Sequence, residues 1–101
     1  MNPTMLLYLM AAHFVCDYPL QGDYLAKAKA DGPLRVWHLL GHATIHGAAV
    51  CLITGSVWLG LAELVVHALA DELKVKKKST FAEDQAFHAA SKIAWCAIAS
   101  A

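Results

Sequence analysis

This sequence contains little charge. Lys, Arg, Asp and Glu make up 16% of its 101 residues and cancel to a formal net charge of zero. No global field therefore draws the chain to nucleic acid or to an acidic substrate. It has no CxxC pair. Cys16, Cys51 and Cys96 lie far apart, which argues against a disulfide framework or a zinc knuckle and leaves them as small apolar packing residues. There is no glycine-rich phosphate loop, no basic–aromatic patch and no low-complexity tract. No basic segment precedes the first apolar run, so a cleavable signal peptide is not expected.

Apolar side chains are present in excess: 58% of residues are hydrophobic, and the mean hydropathy is +0.47. That exceeds most soluble domains, although it is modest for a chain made almost wholly of membrane spans. Six histidines is also many for this length.

Asn2-Pro3 opens a helix, with Asn as N-cap and Pro in the first turn. This helix is expected over about residues 3–18, ending before Pro19. Its length of about 22 Å falls short of a bilayer core. Gln21 to Ala30 is more polar and reads as a short interfacial helix, with Tyr24, Lys27 and Lys29 at headgroup level. Asp31-Gly32-Pro33 is a turn signal. Further helices are expected at about 34–53, 57–74 and 80–100. Thr54-Gly55-Ser56 separates the first pair, and a capping box, Thr80-Phe81-Ala82-Glu83, opens the last. The expected fold is an all-α, up-down four-helix bundle, transmembrane, forming one helical membrane domain over residues 1–101. Small residues at Ala43, Gly47, Cys51 and Gly55 permit close helix approach, and a bundle this thin is a candidate homo-oligomer.

Each long helix carries polar residues four apart, hence on one face. They are His13 and Asp17; His38, His42 and His46; Glu63, His67 and Asp71; and Asp84, His88 and Lys92. Such stripes are costly to bury unless something pairs with them. Counting outward from each turn sets the register. His46 falls opposite His67, and His42 opposite Asp71. Asp71 then faces Asp84, His67 faces His88, and Glu63 faces Lys92. The expected result is an inner layer of His13, His46, His67 and His88, and an outer layer of Asp17, His42, Asp71 and Asp84. Glu63 and Lys92 form an ion pair deeper still, and His38 lies at the rim.

One histidine on an apolar face is usually a hydrogen-bonded core residue. Four aligned pairs have the residue types for Zn²⁺, Mn²⁺ or Fe²⁺, as one ion or a dinuclear centre. An ion with an open position would make water a nucleophile. Asp84 or Asp17 would take the proton, and Lys74 and Arg35 at the mouth would bind a phosphate or other anion. The leading expectation is thus a metal-dependent hydrolase of a phosphoester or lipid-like substrate. A non-enzymatic metal or proton carrier, and a small membrane effector acting through a protein partner, are the alternatives. Lys27, Lys29, Arg35 and the lysines from Lys74 to Lys78 all fall at the ligand end. The positive-inside rule then places that end in the cytoplasm and both termini outside. The expected partner is the lipid bilayer, not nucleic acid, with Trp37 and Trp58 as interface anchors.

His13-x-x-x-Asp17-Tyr-Pro-Leu-Gln21, His42-x-x-x-His46-Gly, His67-x-x-x-Asp71-x-x-Lys74 and Asp84-Gln85-x-x-His88 together resemble the bacterial and phage membrane-protein family catalogued as domain of unknown function 3307. The resemblance covers nearly the whole chain in motif order. It implies a small polytopic protein of the bacterial cytoplasmic membrane, and adds Gln21, Lys74 and Gln85 to the site as groups behind the ligands or facing a substrate. The Glu63–Lys92 pair and His38 stand outside that pattern.

Overall fold

The computed structural model describes residues 1–18 and 22–101, apart from the side chain of Leu25. The described residues form five helices and no strand: α1 (Pro3–Asp17), α2 (Gly22–Ala28), α3 (Arg35–Thr54), α4 (Val57–Val75) and α5 (Phe81–Ser100).

Local chemistry sets most of the boundaries. Asn2 accepts a hydrogen bond from the Met5 amide at 3.1 Å and caps α1. Gly55 ends α3 in the left-handed region, at φ 74°, and its N–H returns to the Cys51 carbonyl. Ser56 immediately caps α4 by accepting from the Leu59 amide. Thr80 and Glu83 form a reciprocal capping box on α5, at 3.1 and 2.9 Å.

The four long helices close into a helical bundle in which α1 and α4 each pack against both α3 and α5. Named contacts show that neighbours run antiparallel. Asp17 meets His46 while Leu9 shares a core with Val50. Asp71 meets His88 while Glu63 meets Lys92. The Asn2 amide donates to Ser100 Oγ, joining the start of α1 to the end of α5.

Close approach of α3 and α4 depends on two glycines. A Cβ on Gly47 or on Gly60 would lie 2.7 Å from the other residue's carbonyl oxygen, and one on Gly60 would also lie 2.7 Å from Cys51 Cβ. The small-residue stripe therefore works within the bundle. Gly55, its expected fourth member, is instead the helix stop. Gly60→Leu is expected to force α3 and α4 apart and destabilise the fold by about 1–3 kcal/mol or more, read as a lowered midpoint of thermal unfolding by circular dichroism. An unchanged midpoint would show that the contact is not tight.

The interior is divided along the axis. One end holds an apolar layer with a residue from each long helix: Leu9, Val50, Leu59 and Cys96. The other end is polar, and its buried side chains include five histidines, Glu63, Asp71, Asp84 and Lys92. The outside is apolar, with Leu52 84% and Trp58 77% exposed. Among the described residues one helix, Arg35–Thr54, is long and apolar enough to cross a membrane, where a transmembrane four-helix bundle was expected. α1 is apolar but short, and α4 and α5 carry the buried Glu63, Asp71, Asp84 and Lys92.

Candidate metal centre

The polar half is built outward from Glu63, which is fully buried on α4. Its Oε1 accepts from Lys92 Nζ at 2.9 Å and from Trp95 Nε1 at 2.8 Å. Its Oε2 lies 2.9 Å from His67 Nδ1. An ionised carboxylate only accepts, so the proton of His67 sits on Nδ1. That leaves the Nε2 lone pair of His67 facing the cluster, the arrangement in which a carboxylate orients a metal-binding imidazole. The ion pair expected to lie apart from the ligands thus connects directly to one of them, through Glu63.

Beyond Glu63 lie two groups of donors. In the first, Asp17 Oδ1 is 3.2 Å from His42 Nε2 and 2.9 Å from His46 Nε2, and His67 Nε2 is 3.3 Å from His42 Nε2. In the second, His88 Nε2 lies 3.3 Å from Asp84 Oδ1 and 3.6 Å from Asp71 Oδ1. Asp71 faces both groups, because its Oδ2 is 3.4 Å from His42 Nε2 and 3.5 Å from His67 Nε2. Asp17 likewise turns Oδ2 toward His13 Nε2, at 3.4 Å. The rings of His46, His67 and His88 stack in succession, with centroids 3.7 and 4.1 Å apart. Facing imidazoles bring the expected inner and outer layers into a single cluster.

The mouth differs from the sequence expectation in two places, at Arg35 and Lys29. Arg35 makes a two-pronged ion pair with Glu72, which occupies the guanidinium expected to bind an anion. Lys29, expected at headgroup level, turns inward and donates to Asp71 Oδ2 at 2.8 Å. Its position past the end of a seven-residue helix gave no periodic signal to find it by. His38 packs edge-on against Tyr24, with ring centroids 5.8 Å apart, away from the cluster. Lys74 lies 3.8 Å from Asp84 Oδ2. Gln85 joins two site residues, with Oε1 3.2 Å from His13 Nε2 and Nε2 donating to Asp84 Oδ2 at 3.2 Å. Gln21 lies outside the described residues. A cavity of about 90 Å³ opens over the cluster, walled in part by Asp17, Lys29, Asp71, Lys74 and Asp84.

Residues 5–100 match the family described as Protein of unknown function (DUF3307). The chain belongs to this family. No curated protein and no solved structure matches it. The DUF3307 match spans the whole donor cluster and names no activity, so the chemistry rests on the donors.

Three sets of these side chains bring potential ligand atoms within 4.8 Å of one another: Asp17, His42, His46 and His67; His13, His67 and His88; and Asp71, Asp84 and His88. Their unsatisfied atoms test the fit. His88 Nε2 and Asp84 Oδ1 are buried and within ion-pair reach of each other, yet neither makes a hydrogen bond of good geometry. Buried polar atoms rarely remain so. Two donors each about 2.1 Å from one tetrahedral ion stand about 3.4 Å apart, close to the 3.3 Å between these atoms. The donor sets of this DUF3307 protein could hold a metal ion; they are joined through His67 and His88, and Asp71 also faces His42 and His67.

Proposed function

We propose that this protein is an integral protein of the bacterial cytoplasmic membrane. Its interior binds two divalent ions (Zn²⁺, Mn²⁺ or Fe²⁺) and hydrolyses a phosphoester or lipid-like substrate. The observation that carries this reading is the cluster of three interlocking His/Asp donor sets, with Asp71 reaching His42 on one side and His88 on the other.

The inverted distribution of polarity supports the membrane. Histidines, acids and a lysine are buried while Leu, Val, Ile and Trp are exposed. A soluble bundle would expose the charges and bury the aliphatic side chains. The structure is 41 Å long, and its twenty-residue helices span about 30 Å, the thickness of a bilayer core. Trp37 and Trp58 are exposed near opposite ends, where interfacial anchors sit. The excess of lysine at the cluster end supports the reading that this end faces the cytoplasm and both termini lie outside.

In hydrolysis, a bound divalent ion supplies Lewis acidity, which acidifies water and offsets phosphoryl charge. The chain does the rest. Asp84 lines the cavity and takes the proton of the attacking water while Gln85 Nε2 holds its Oδ2. The water oxygen bonds to phosphorus and the bond to the leaving oxygen breaks. The proton passes from Asp84 to that oxygen, giving a phosphate and an alcohol. Lys74 holds the anion at the rim. Asp17 is engaged with His42 and His46 and serves as ligand, not base.

Metal content by inductively coupled plasma mass spectrometry tests the site first. The wild type should carry stoichiometric metal and remain in the membrane pellet after carbonate extraction. A folded His67→Ala/His88→Ala variant should carry none. Bis(4-nitrophenyl) phosphate should be turned over by the loaded protein and at least about 10²-fold more slowly by Asp84→Asn, which loses the base and an oxygen donor of the His88 group together. No metal in the wild type would overturn the site. Metal without turnover would leave the carrier reading.

A further inference from the structure

Two lysines at the mouth of the cluster are paired with the two acids of one donor set. Lys29 donates to Asp71 Oδ2 at 2.8 Å, and Lys74 lies 3.8 Å from Asp84 Oδ2. Asp71 and Asp84 belong together with His88 as potential ligands of one ion. The lysines come from separate parts of the chain, Lys29 just past α2 and Lys74 from the last turn of α4. Their side chains are 12% and 43% exposed, against 5% and 2% for the acids. Each ammonium group therefore covers the outer side of a buried carboxylate.

Two cavities meet at these lysines. The first is the cavity of about 90 Å³ over the cluster, and the second has a volume of about 310 Å³. Lys29, Asp71 and Lys74 line both. The rest of the larger lining is Ala26, Ala30 and Val75, so two lysines there face one acid. In the smaller cavity Asp17 and Asp84 are added, and three acids face two lysines. The charge thus changes sign along the mouth, from positive outside to negative beside the donors. A divalent ion held by Asp71, Asp84 and His88 would take up the charge of both carboxylates. Lys29 and Lys74 would then face the larger cavity with no acid left to offset them, and a compact anion restores the balance. Ammonium groups bind phosphate oxygens as point charges, without the planar match that a guanidinium requires.

We propose that Lys29 and Lys74 form a phosphate-binding site in the larger cavity, completed when a divalent ion binds Asp71 and Asp84. Its ligand is a phosphate group, free or at the end of a lipid headgroup. This rests on the metal reading above and adds Lys29 to Lys74 as the residues that hold the substrate's phosphate. Metal and phosphate must then bind with positive coupling, each tightening the other by the same factor. A Lys29 that served only as a structural counter-ion for Asp71 would give no coupling that depends on it.

Mn²⁺ titration of the full chain in neutral detergent micelles tests this, with free Mn²⁺ read by electron paramagnetic resonance. Inorganic phosphate should lower the Mn²⁺ dissociation constant about tenfold, a usual strength for coupled sites. Nitrate at the same ionic strength should not. Lys29→Met should still bind Mn²⁺ but lose most of the coupling, and Lys29→Arg should keep most of it. Lys74→Met serves as the second variant if Lys29→Met fails to fold. Dioctanoyl phosphatidic acid in place of phosphate separates the two sources of the ligand. Lys29-dependent coupling at a lower concentration than phosphate needs would assign the site to a lipid headgroup. Coupling that is no stronger than with phosphate would assign it to the free ion. Mn²⁺ binding that ignores phosphate, or coupling that survives Lys29→Met intact, would overturn the phosphate site and leave the metal centre standing. A wild type that binds no Mn²⁺ would overturn both.

Discussion

Replacing Lys92 by methionine is expected to destabilise the bundle by about 3–5 kcal/mol, enough to consume a large part of a small domain's stability. The reason is the partner left behind. Glu63 has no solvent exposure. In the native state Lys92 Nζ and Trp95 Nε1 donate to one of its oxygens, and His67 Nδ1 lies against the other. Removing the lysine keeps two of the three contacts but leaves a net negative charge in a low-dielectric interior, and a hydrocarbon surround makes that costlier. Methionine has nearly the same shape, so packing loss contributes little. The double variant Glu63→Gln/Lys92→Met should recover most of the stability, because the uncompensated charge is gone. It should not recover metal binding. A glutamine does not fix the proton on His67 Nδ1 as a carboxylate does, and losing such a partner typically lowers metal affinity about 10–100-fold. Equilibrium unfolding in micelles and metal titration, run on the same three proteins, read the two effects separately. A Lys92→Met protein as stable as the wild type would mean that Glu63 is held as a neutral acid.

The register of the cluster was legible in the sequence because two simple rules fix it. Helical spacing puts residues four apart on one face, and a tight turn ties facing positions to equal distances from it. Counting from Ser56 and Val57 placed His46 against His67, whose rings stack at 3.7 Å. Counting across the next connection placed His67 against His88, at 4.1 Å. The capping box at Thr80 and the Asn2 cap were equally plain, since each is a local hydrogen bond between residues close in sequence. Long side chains were not legible. Arg35 and Lys29 could each reach several partners, and which one they take depends on what the neighbouring helix presents: Glu72 for the first and Asp71 for the second. Nothing in the spacing of Trp95 pointed to a polar role, yet its indole N–H supplies a hydrogen bond to Glu63. Spacing gives the direction of a Cβ but not the choice made by a flexible or two-sided side chain. The two expected layers also merged. One helical turn rises only about 5.4 Å, a gap that facing imidazoles such as His42 and His67 close.

Asp71→Asn is expected to remove both metal ions, with an affinity loss greater than about 100-fold, above the range for residues that only support a ligand. The position of Asp71 sets it apart from the other acids. Its Oδ1 faces His88 Nε2 at 3.6 Å in one group, while Oδ2 faces His42 and His67 at 3.4 and 3.5 Å in the other and accepts from Lys29 at 2.8 Å. Asparagine keeps the shape but replaces one oxygen by an NH₂ that can only donate, and it removes the charge that offsets an ion. Either orientation of the amide spoils one group, and the lost charge weakens the other. Asp84 belongs only to the group with His88 and Asp71. Asp84→Asn should therefore empty that group and leave one ion with His42, His46 and His67. Lys29→Met separates the ion-pair contribution, since it frees Asp71 Oδ2 without touching a donor and should retain metal. The decisive measurement is ions per chain for the four proteins after equal dialysis. Full metal in Asp71→Asn would mean that the two groups do not share a bridging carboxylate. Equal loss in the Asp71 and Asp84 variants would reduce the centre to a single ion held jointly by both groups.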